Sequence, residues 1–374
     1  MHIYIHIPFC KQACFYCDFH FSTNTSAKGR MVEAIKAEMV IQKHYLGNSP
    51  IDTIYLGGGT PSMLSQIELE SILEALQQLF TIRPNAEITL EANPDDLTAE
   101  KIKEIAAAGI NRLSIGIQSF YDPHLKALNR AHQSAEALNC VLGAQDAGIT
   151  NISVDLIYSI PHPDHKVLYE DIHKVLTLNI PHISAYCLTI EPKTTFGNWL
   201  KNKKMPPIDE TFAAEQFEIL IRELTKGGFE QYEISNFAAN KQYSEHNTAY
   251  WKAEPYLGLG PSAHSFNGAK RSFNISNNAR YMAAVEQNIL PNETELLTSA
   301  DKTNEYLLTG LRTKWGVTAP KLQDLSEGTF LQQRHQQLEN LIEQGFLELK
   351  NDHWVLTPQG KFFADRIASD LFID

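Results

Sequence analysis

The chain has 374 residues, with 32 Lys and Arg against 44 Asp and Glu and a formal net charge of -12. Its 43% hydrophobic and 20% charged residues describe an ordinary globular protein of two or three domains, which excludes disordered, collagen-like and disulfide-scaffold classes. No apolar run approaches the roughly 20 residues that span a bilayer. The opening His2-Ile3-Tyr4-Ile5-His6 lacks the basic lead of a signal peptide, and the acidic balance is a poor basis for gripping nucleic acid through its phosphates.

In chain order, strand-like runs fall at 2–7, 51–56, 87–91, 112–117, 150–157 and 182–190. They read as near-continuously apolar, the pattern of parallel strands covered by helices. Helical spacing lies between them. Val32, Ile35 and Met39 share one face; Ser65 and Glu68 form a capping box ahead of Ile72, Leu73, Leu76 and Phe80; Thr98 caps a helix that stops at Gly109. An internal echo supports a repeated unit: Ala108-Gly109-Ile110-Asn111 and Ala147-Gly148-Ile149-Thr150 each end a helix and open a strand. Six such units predict an α/β fold, a partial (β/α)6 barrel, because parallel strands need right-handed crossovers. Chemistry is then expected at the C-terminal strand ends, where Cys10 to Cys17, Gly57 to Thr60, Glu91, Gln118, Asp155 and Thr189 recur.

After residue 200 the pattern changes. Residues 201–207 read as a linker before a helix over 209–226, and residues 229–275 are rich in aromatics and glycine. Helices near 301–314 and 330–344, a hairpin (FLELK, HWVL) and a last helix after Pro358 predict a winged-helix-like tail. With 8 basic and 11 acidic residues over 298–374, that tail suits docking or structure better than DNA. The expected division is a core over 1–228, an α+β extension over 229–297 and the tail over 298–374.

Of five cysteines, Cys10, Cys14 and Cys17 fall within eight residues, too close for an orderly disulfide framework. An odd count without an export signal points to a reducing cytoplasm. Structural zinc usually takes two separated Cys or His pairs, and no second pair stands at matching spacing. Iron–sulfur clusters normally take four cysteines, so three would leave one iron open to a small molecule. Cys140 and Cys187 read as small core residues.

The Cys-x3-Cys-x2-Cys spacing, with Tyr16 before the third cysteine, resembles the radical S-adenosylmethionine (SAM) superfamily. The likeness continues through His6-Ile7-Pro8-Phe9-Cys10, Gly57-Gly58-Gly59-Thr60-Pro61-Ser62, Glu91-Ala92-Asn93-Pro94, Gly116-Ile117-Gln118-Ser119-Phe120, Leu128-Asn129-Arg130 and Asp155-Leu156-Ile157-Tyr158. These are similar to the coproporphyrinogen dehydrogenase (HemN) branch and its relative, the HemW-type haem chaperones. The resemblance implies a [4Fe–4S] cluster on Cys10, Cys14 and Cys17, with SAM chelating the fourth iron and open to reductive cleavage into a 5'-deoxyadenosyl radical. It implies SAM contacts at Tyr4, Gly58, Gly59, Thr60 and Glu91. Gln118, Arg130 and Asp155, with Thr189, match positions around a second SAM in the HemN branch.

Three features separate the branches. HemN enzymes resemble Cys-x3-Cys-x2-Cys-x-Cys, and Phe19 stands at the fourth position here; they also carry an N-terminal extension, whereas this sequence starts three residues before Tyr4. The run His246-Asn247-Thr248-Ala249-Tyr250-Trp251 matches the HNxxYW pattern of HemW. The HemW-type reading implies a cytoplasmic protein that binds haem and passes it to acceptor proteins. A membrane-bound acceptor and a homodimer are both compatible with it. His246 is the expected axial ligand, with Tyr250 and Trp251 against the macrocycle, and its competing role is a satisfied hydrogen-bonding corner of the core. His264, among glycines and proline, reads as part of a structural loop. The rival function is an oxygen-independent coproporphyrinogen III oxidase that decarboxylates two propionates; a radical SAM enzyme with an unrelated substrate is a third.

Overall fold

The computed structural model describes all 374 residues. The first part alternates β1 (His2–Ile7), α1 (Lys28–Gln42), β2 (Ile51–Gly58), α2 (Gln66–Leu79), β3 (Ile82–Ala92), α3 (Ala99–Ala107), β4 (Arg112–Gln118), α4 (Asp122–Ala127), α5 (Ser134–Asp146), β5 (Asn151–Tyr158), α6 (Lys166–Thr177) and β6 (His182–Cys187). The six strands are parallel neighbours in that order, which is the expected partial (β/α)6 barrel. The local signals that start and stop the helices work as expected. Ser65 accepts from the Glu68 N–H at 3.3 Å while the Glu68 carboxylate accepts from Ser65 N–H at 2.7 Å, and Thr98 accepts from Lys101 N–H at 3.2 Å. Each such cap contributes about 1 kcal/mol. Gly109 and Gly148, the two halves of the echo, both take positive φ (95° and 89°).

There follow α7 (Thr195–Lys201), α8 (Glu210–Lys226), β7 (Phe229–Glu233), β8 (Asn236–Ala239), α9 (Glu245–Trp251), β9 (Tyr256–Leu259), β10 (His264–Phe266), β11 (Lys270–Asn274), α10 (Asn278–Val285) and β12 (Asn292–Leu296). These strands extend both edges of the same sheet, giving the order β12-β11-β10-β9-β1-β2-β3-β4-β5-β6-β8-β7. β9 runs parallel to β1, a seventh parallel strand that the glycine-rich run did not signal. A buried carboxylate fastens this region to the barrel. Glu38 on α1 is fully buried and accepts from Gly260 N–H (2.8 Å), Asn274 Nδ2 (2.7 Å), Gln42 Nε2 (2.8 Å) and the Tyr281 hydroxyl.

The tail is built from α11 (Ser299–Leu311), β13 (Val317–Thr318), α12 (Ala319–Leu325), α13 (Phe330–Glu343), β14 (Leu347–Lys350), β15 (His353–Leu356) and α14 (Ala364–Asp370), with a three-stranded sheet in the order β13-β15-β14. It has its own core around Leu307, Phe330, Leu338, Leu356 and Leu371. The short α12, capped by Thr318 with Pro320 in its first turn, escaped the sequence pattern.

The strands correct one reading of the sequence. They alternate rather than run continuously apolar. Ile3, Ile5, Ile54, Leu56, Leu90, Leu113, Ile115, Ile152, Val154 and Ile183 join the core beneath the helices. The residues between them, His2-x-Tyr4-x-His6, Thr53-x-Tyr55, Glu87-x-Thr89-x-Glu91, Arg112-x-Ser114, Ser153-x-Asp155 and His182-x-Ser184, share the opposite face, which lines a polar lumen. Tyr, Thr and His are tolerated in apolar runs, so the period of two is blurred in the sequence.

Candidate metal and cofactor site

The loop after β1 carries the three cysteines and is tied down at several points. Cys10 N–H donates to Ser22 O (3.1 Å), Ser22 N–H to Pro8 O (2.9 Å), and Phe15 N–H to Leu128 O (3.1 Å). The Asn129 amide donates to Ala13 O (2.7 Å) and the Gln12 amide to Asn129 O (2.9 Å), so the Leu128-Asn129-Arg130 segment clasps the loop from the far side. Phe15 packs edge-on against Trp199, with ring centroids 5.0 Å apart. His6 Nε2 lies 2.8 Å from His20 O, which closes the loop onto the lumen.

All three thiols are unpaired and half-buried. Burial pushes the Cys10 thiol up to about 11 and the Cys17 thiol up to about 12, with the neighbouring cysteines adding to both shifts. Loading a metal centre here therefore releases protons. No three His, Cys, Asp or Glu side chains converge on a single ion; a cluster that takes one thiolate per iron needs no such convergence. Thr60 opposes the rise in the Cys10 pKa. Arg130 Nη1 lies 3.4 Å from Cys14 Sγ, while its Nη2 donates to Asn93 Oδ1 (2.7 Å) and Gly116 O (2.6 Å). Its Nε is buried with no partner. An orphaned guanidinium N–H on the side chain that reaches Cys14 is a donor awaiting an acceptor, and this is the observation by which the residues fit an anionic cluster and its carboxylate-bearing ligand.

The glycine run at the end of β2 is required by close approach. Gly58 has φ 104°, and a Cβ there would meet the His6 ring at 2.5 Å; a Cβ on Gly59 would meet Phe9 O at 2.6 Å. The turn they make delivers Gly58 N–H to Glu91 Oε2 at 3.0 Å, and the Tyr55 hydroxyl donates to Glu91 Oε1 at 2.8 Å. Burial pushes the Glu91 carboxyl up to about 7, opposed by those two donors. Asp155 faces the same lumen from the middle of β5, not from its end, with Ser114 Oγ 3.3 Å from both oxygens; burial pushes it up to about 6, with Arg112 opposing. Gln118 ends β4 at φ 68°, a left-handed conformation unusual for a side chain larger than Asn. Its amide and the Arg130 guanidinium meet over Gly116, where a Cβ would lie 2.8 Å from one and 3.3 Å from the other. Tyr4 lines the lumen one layer down, its hydroxyl 3.0 Å from His6 Nδ1.

Cys10, Cys14, Cys17, Gly58, Gly59, Thr60, Glu91, Gln118, Arg130, Asp155 and Tyr4 thus gather around the C-terminal end of the lumen. Thr189 does not share in this lattice; it is exposed in the loop beyond β6. Asn93 and Tyr55 were missed as positioning residues. Asn93 bridges Arg130 to Thr60 (3.3 Å) from within a quoted motif, and Tyr55 stands two residues from Gly57 on the lumen-facing period.

His246 lies elsewhere. It opens α9, which plugs the opposite end of the barrel, and is 1% exposed. Its Nδ1 is 2.6 Å from Thr53 Oγ1 and its Nε2 is 2.9 Å from the Tyr250 hydroxyl, while burial holds its pKa well below the usual histidine range. Both ring nitrogens are in use and sealed from solvent, so neither is open to iron in this arrangement; the side chain occupies the hydrogen-bonded corner instead. His264 sits exposed on strand β10, between β9 and β11, against Phe273. A cavity of about 1180 Å³ opens at this same N-terminal end, lined by His2, Glu87, Tyr243, Lys252 and Trp315 among others. It is lined by none of the thiols or of Gly57 to Gly59, so it lies apart from the cysteine site.

Residues 4–174 match the family model described as the radical SAM superfamily, and residues 297–363 match the HemN C-terminal domain. The chain is 34% identical over 375 residues to the heme chaperone HemW of Bacillus subtilis, covering 97% of each. It is 31% identical over 382 residues to the heme chaperone HemW of Escherichia coli, covering 99% of this chain and 97% of that one. The solved structure of coproporphyrinogen III oxidase (HemN) from Escherichia coli superposes with a TM-score of 0.85 at 21% identity, over 99% of this chain and 89% of that chain, and so shares the fold. The full-length likeness to curated relatives at 30% identity and above, joined to the thiol triad at the mouth of the barrel, establishes that the chain belongs to the HemW family within the radical SAM superfamily.

Proposed function

We propose that the protein is a haem chaperone: it holds a [4Fe–4S] cluster on Cys10, Cys14 and Cys17, binds SAM at the mouth of the lumen, and binds haem for transfer to acceptor proteins. The observation that carries the cofactor reading is Arg130, whose buried Nε lacks a partner beside the thiols. A cluster bound there would supply an electron to the SAM sulfonium. The chain's own residues do the rest. Arg130 hydrogen-bonds the sulfur of Cys14 and, with the Leu128–Asn129 clasp, restrains the loop. Gly58 and Gly59 keep the wall thin enough for a ligand to reach backbone groups. Glu91 presents a carboxyl, fixed by Tyr55 and Gly58, that accepts from an ammonium or a ribose hydroxyl once ionised. Phe19, 68% exposed, stands where the oxidase pattern has a further cysteine, which favours the chaperone over the oxidase.

The test is anaerobic reconstitution with iron and sulfide, an iron count, and then titration with SAM and with haem. The expected outcome is about four irons per chain and saturable binding of both. A parallel assay with coproporphyrinogen, SAM and dithionite separates the rival: sustained protoporphyrinogen formation would replace the chaperone reading with the oxidase one.

A further inference from the structure

The HNxxYW helix and the candidate SAM site sit at opposite ends of the lumen, yet one unbroken set of contacts joins them. The direction of its hydrogen bonds follows from one fixed end. The Glu254 carboxylate only accepts, so His2 Nε2, 2.9 Å away, carries a proton; burial lowers the His2 pKa and keeps the ring neutral, so it accepts at Nδ1. The donor 2.9 Å from Nδ1 is Thr53 Oγ1. Having given its one proton to His2, Thr53 must accept from His246 Nδ1–H at 2.6 Å, and His246 Nε2 then accepts from the Tyr250 hydroxyl at 2.9 Å. The Glu87 carboxylate pins the same helix by accepting from Glu245 and His246 N–H, each at 3.1 Å. The imidazole is therefore held in one tautomer and one plane. Its face lies against Tyr55, with ring centroids 5.0 Å apart and planes 27° apart. Tyr55 also stacks on Tyr4 at 6.1 Å and reaches up to Glu91 with its hydroxyl.

We propose that His246 is a positioning residue for the ligand site: its locked ring sets the plane of Tyr55, and Tyr55 fixes Glu91. This rests on the reading of that end as the SAM site. It assigns the histidine of the HNxxYW motif to shaping the cofactor pocket from below, and it leaves haem to be held by other groups.

The test measures SAM affinity by anaerobic calorimetry and haem affinity by absorbance titration on the cluster-loaded full chain. Tyr55→Phe removes one hydrogen bond to a charged group and is expected to weaken SAM binding by about tenfold. His246→Ala is expected to weaken it by about fivefold, and His246→Gln, which keeps a planar hydrogen-bonding group, by less. In the Tyr55→Phe background His246→Ala should add no further loss, because the path to Glu91 is already cut. Haem affinity should match wild type in every variant. Loss of haem binding in His246→Ala with SAM affinity intact would make the residue a ligand and overturn the proposal. Losses that multiply in the double variant would overturn it too, as general loosening of the fold. If His246→Ala does not fold, Tyr250→Phe and His246→Gln decide: unchanged SAM affinity in both overturns the proposal, and a loss that vanishes in the Tyr55→Phe background supports it. Wild-type protein that takes up the cluster but no SAM would sink the underlying reading instead, and that result appears before any variant is made.

Discussion

The two ends of one lumen are finished in opposite ways. At the floor, His2, Thr53, Glu87 and His246 use their ring nitrogens, hydroxyl and carboxylate oxygens on one another and on α9, and Arg112, 2% exposed, lies among them with its Nε 3.7 Å from Glu87. At the rim, Arg130 keeps a buried Nε without a partner, Glu91 and Asp155 are carboxyls held above their usual range, and Gln118 at the end of β4 and Ser159 just past β5 take the left-handed region. The same strands supply both ends, so the difference lies in the side chains and not the scaffold. A satisfied network contributes rigidity, and an unsatisfied, strained one is what a ligand site costs the fold. Substitutions should therefore separate the two ends: removing rim groups lowers ligand binding without destabilising the fold, whereas removing floor groups destabilises it, and His246 reaches the ligand only through Tyr55.

The largest contrast is expected from the thiols. Cys14→Ser should abolish retention of the cluster, read as a fall in the anaerobic iron count to background. The melting temperature of the metal-free chain should stay within about 2 °C of wild type, because the half-buried thiol sits on a loop and buries little apolar surface. A large loss of stability in the metal-free protein would mean that the triad is part of the core.

The floor should respond in the reverse sense. Glu87→Ala removes the partner of a buried Arg112 and two acceptors of the α9 N-terminus, and should cost about 3–5 kcal/mol in denaturant unfolding. The iron count after reconstitution under native conditions should be unaffected. A loss below about 1 kcal/mol would show that the floor network adds little.

The two ends were unequally legible in the sequence. The rim announced itself because its chemistry uses residues with few other reasons to cluster: three cysteines in eight positions, three consecutive glycines, and Glu91 and Arg130 inside recognisable motifs. The parallel strands and helix caps were readable because Ser65, Thr98 and the glycines act locally. The floor was hidden. Its members lie far apart in sequence, joining residues 2, 53, 87, 112 and 246, and only the strand register brings them together. Glu38 escaped for the same reason, since its partners Gly260, Asn274 and Tyr281 are more than 200 residues away. His246 was visible as a motif, but nothing local reveals that both of its nitrogens are occupied.

A smaller effect should come from Glu91. Its folded pKa of about 7 lies above the ordinary carboxylate value of 4.5. The folded state therefore holds this proton more tightly than the unfolded chain, so stability falls as pH rises between about 4.5 and about 7 and levels off above that. Glu91→Gln cannot ionise. It should match wild type near pH 4.5 and exceed it at pH 8 by on the order of 1–3 kcal/mol, while SAM binding is lost. Equal stability of the two proteins at pH 8 would show that the rim carboxyl carries no such cost.

The smallest effect tests whether the rim stores backbone strain. Gln118 is held at φ 68° with its amide against Arg130 over Gly116. A left-handed conformation costs a residue with a Cβ about 1–2 kcal/mol, and glycine avoids that while losing about 0.5–1 kcal/mol through greater freedom in the unfolded chain. Gln118→Gly should therefore raise stability slightly, by about 0.5–1 kcal/mol by the same arithmetic, and weaken SAM binding by removing the amide. Gln118→Ala is the control: it removes the same amide but keeps the Cβ, so it should weaken SAM equally without the gain in stability. If both substitutions destabilise alike, the left-handed turn is held by side-chain contacts and not by the ligand site, and the contrast between rim and floor would then rest on polar groups alone.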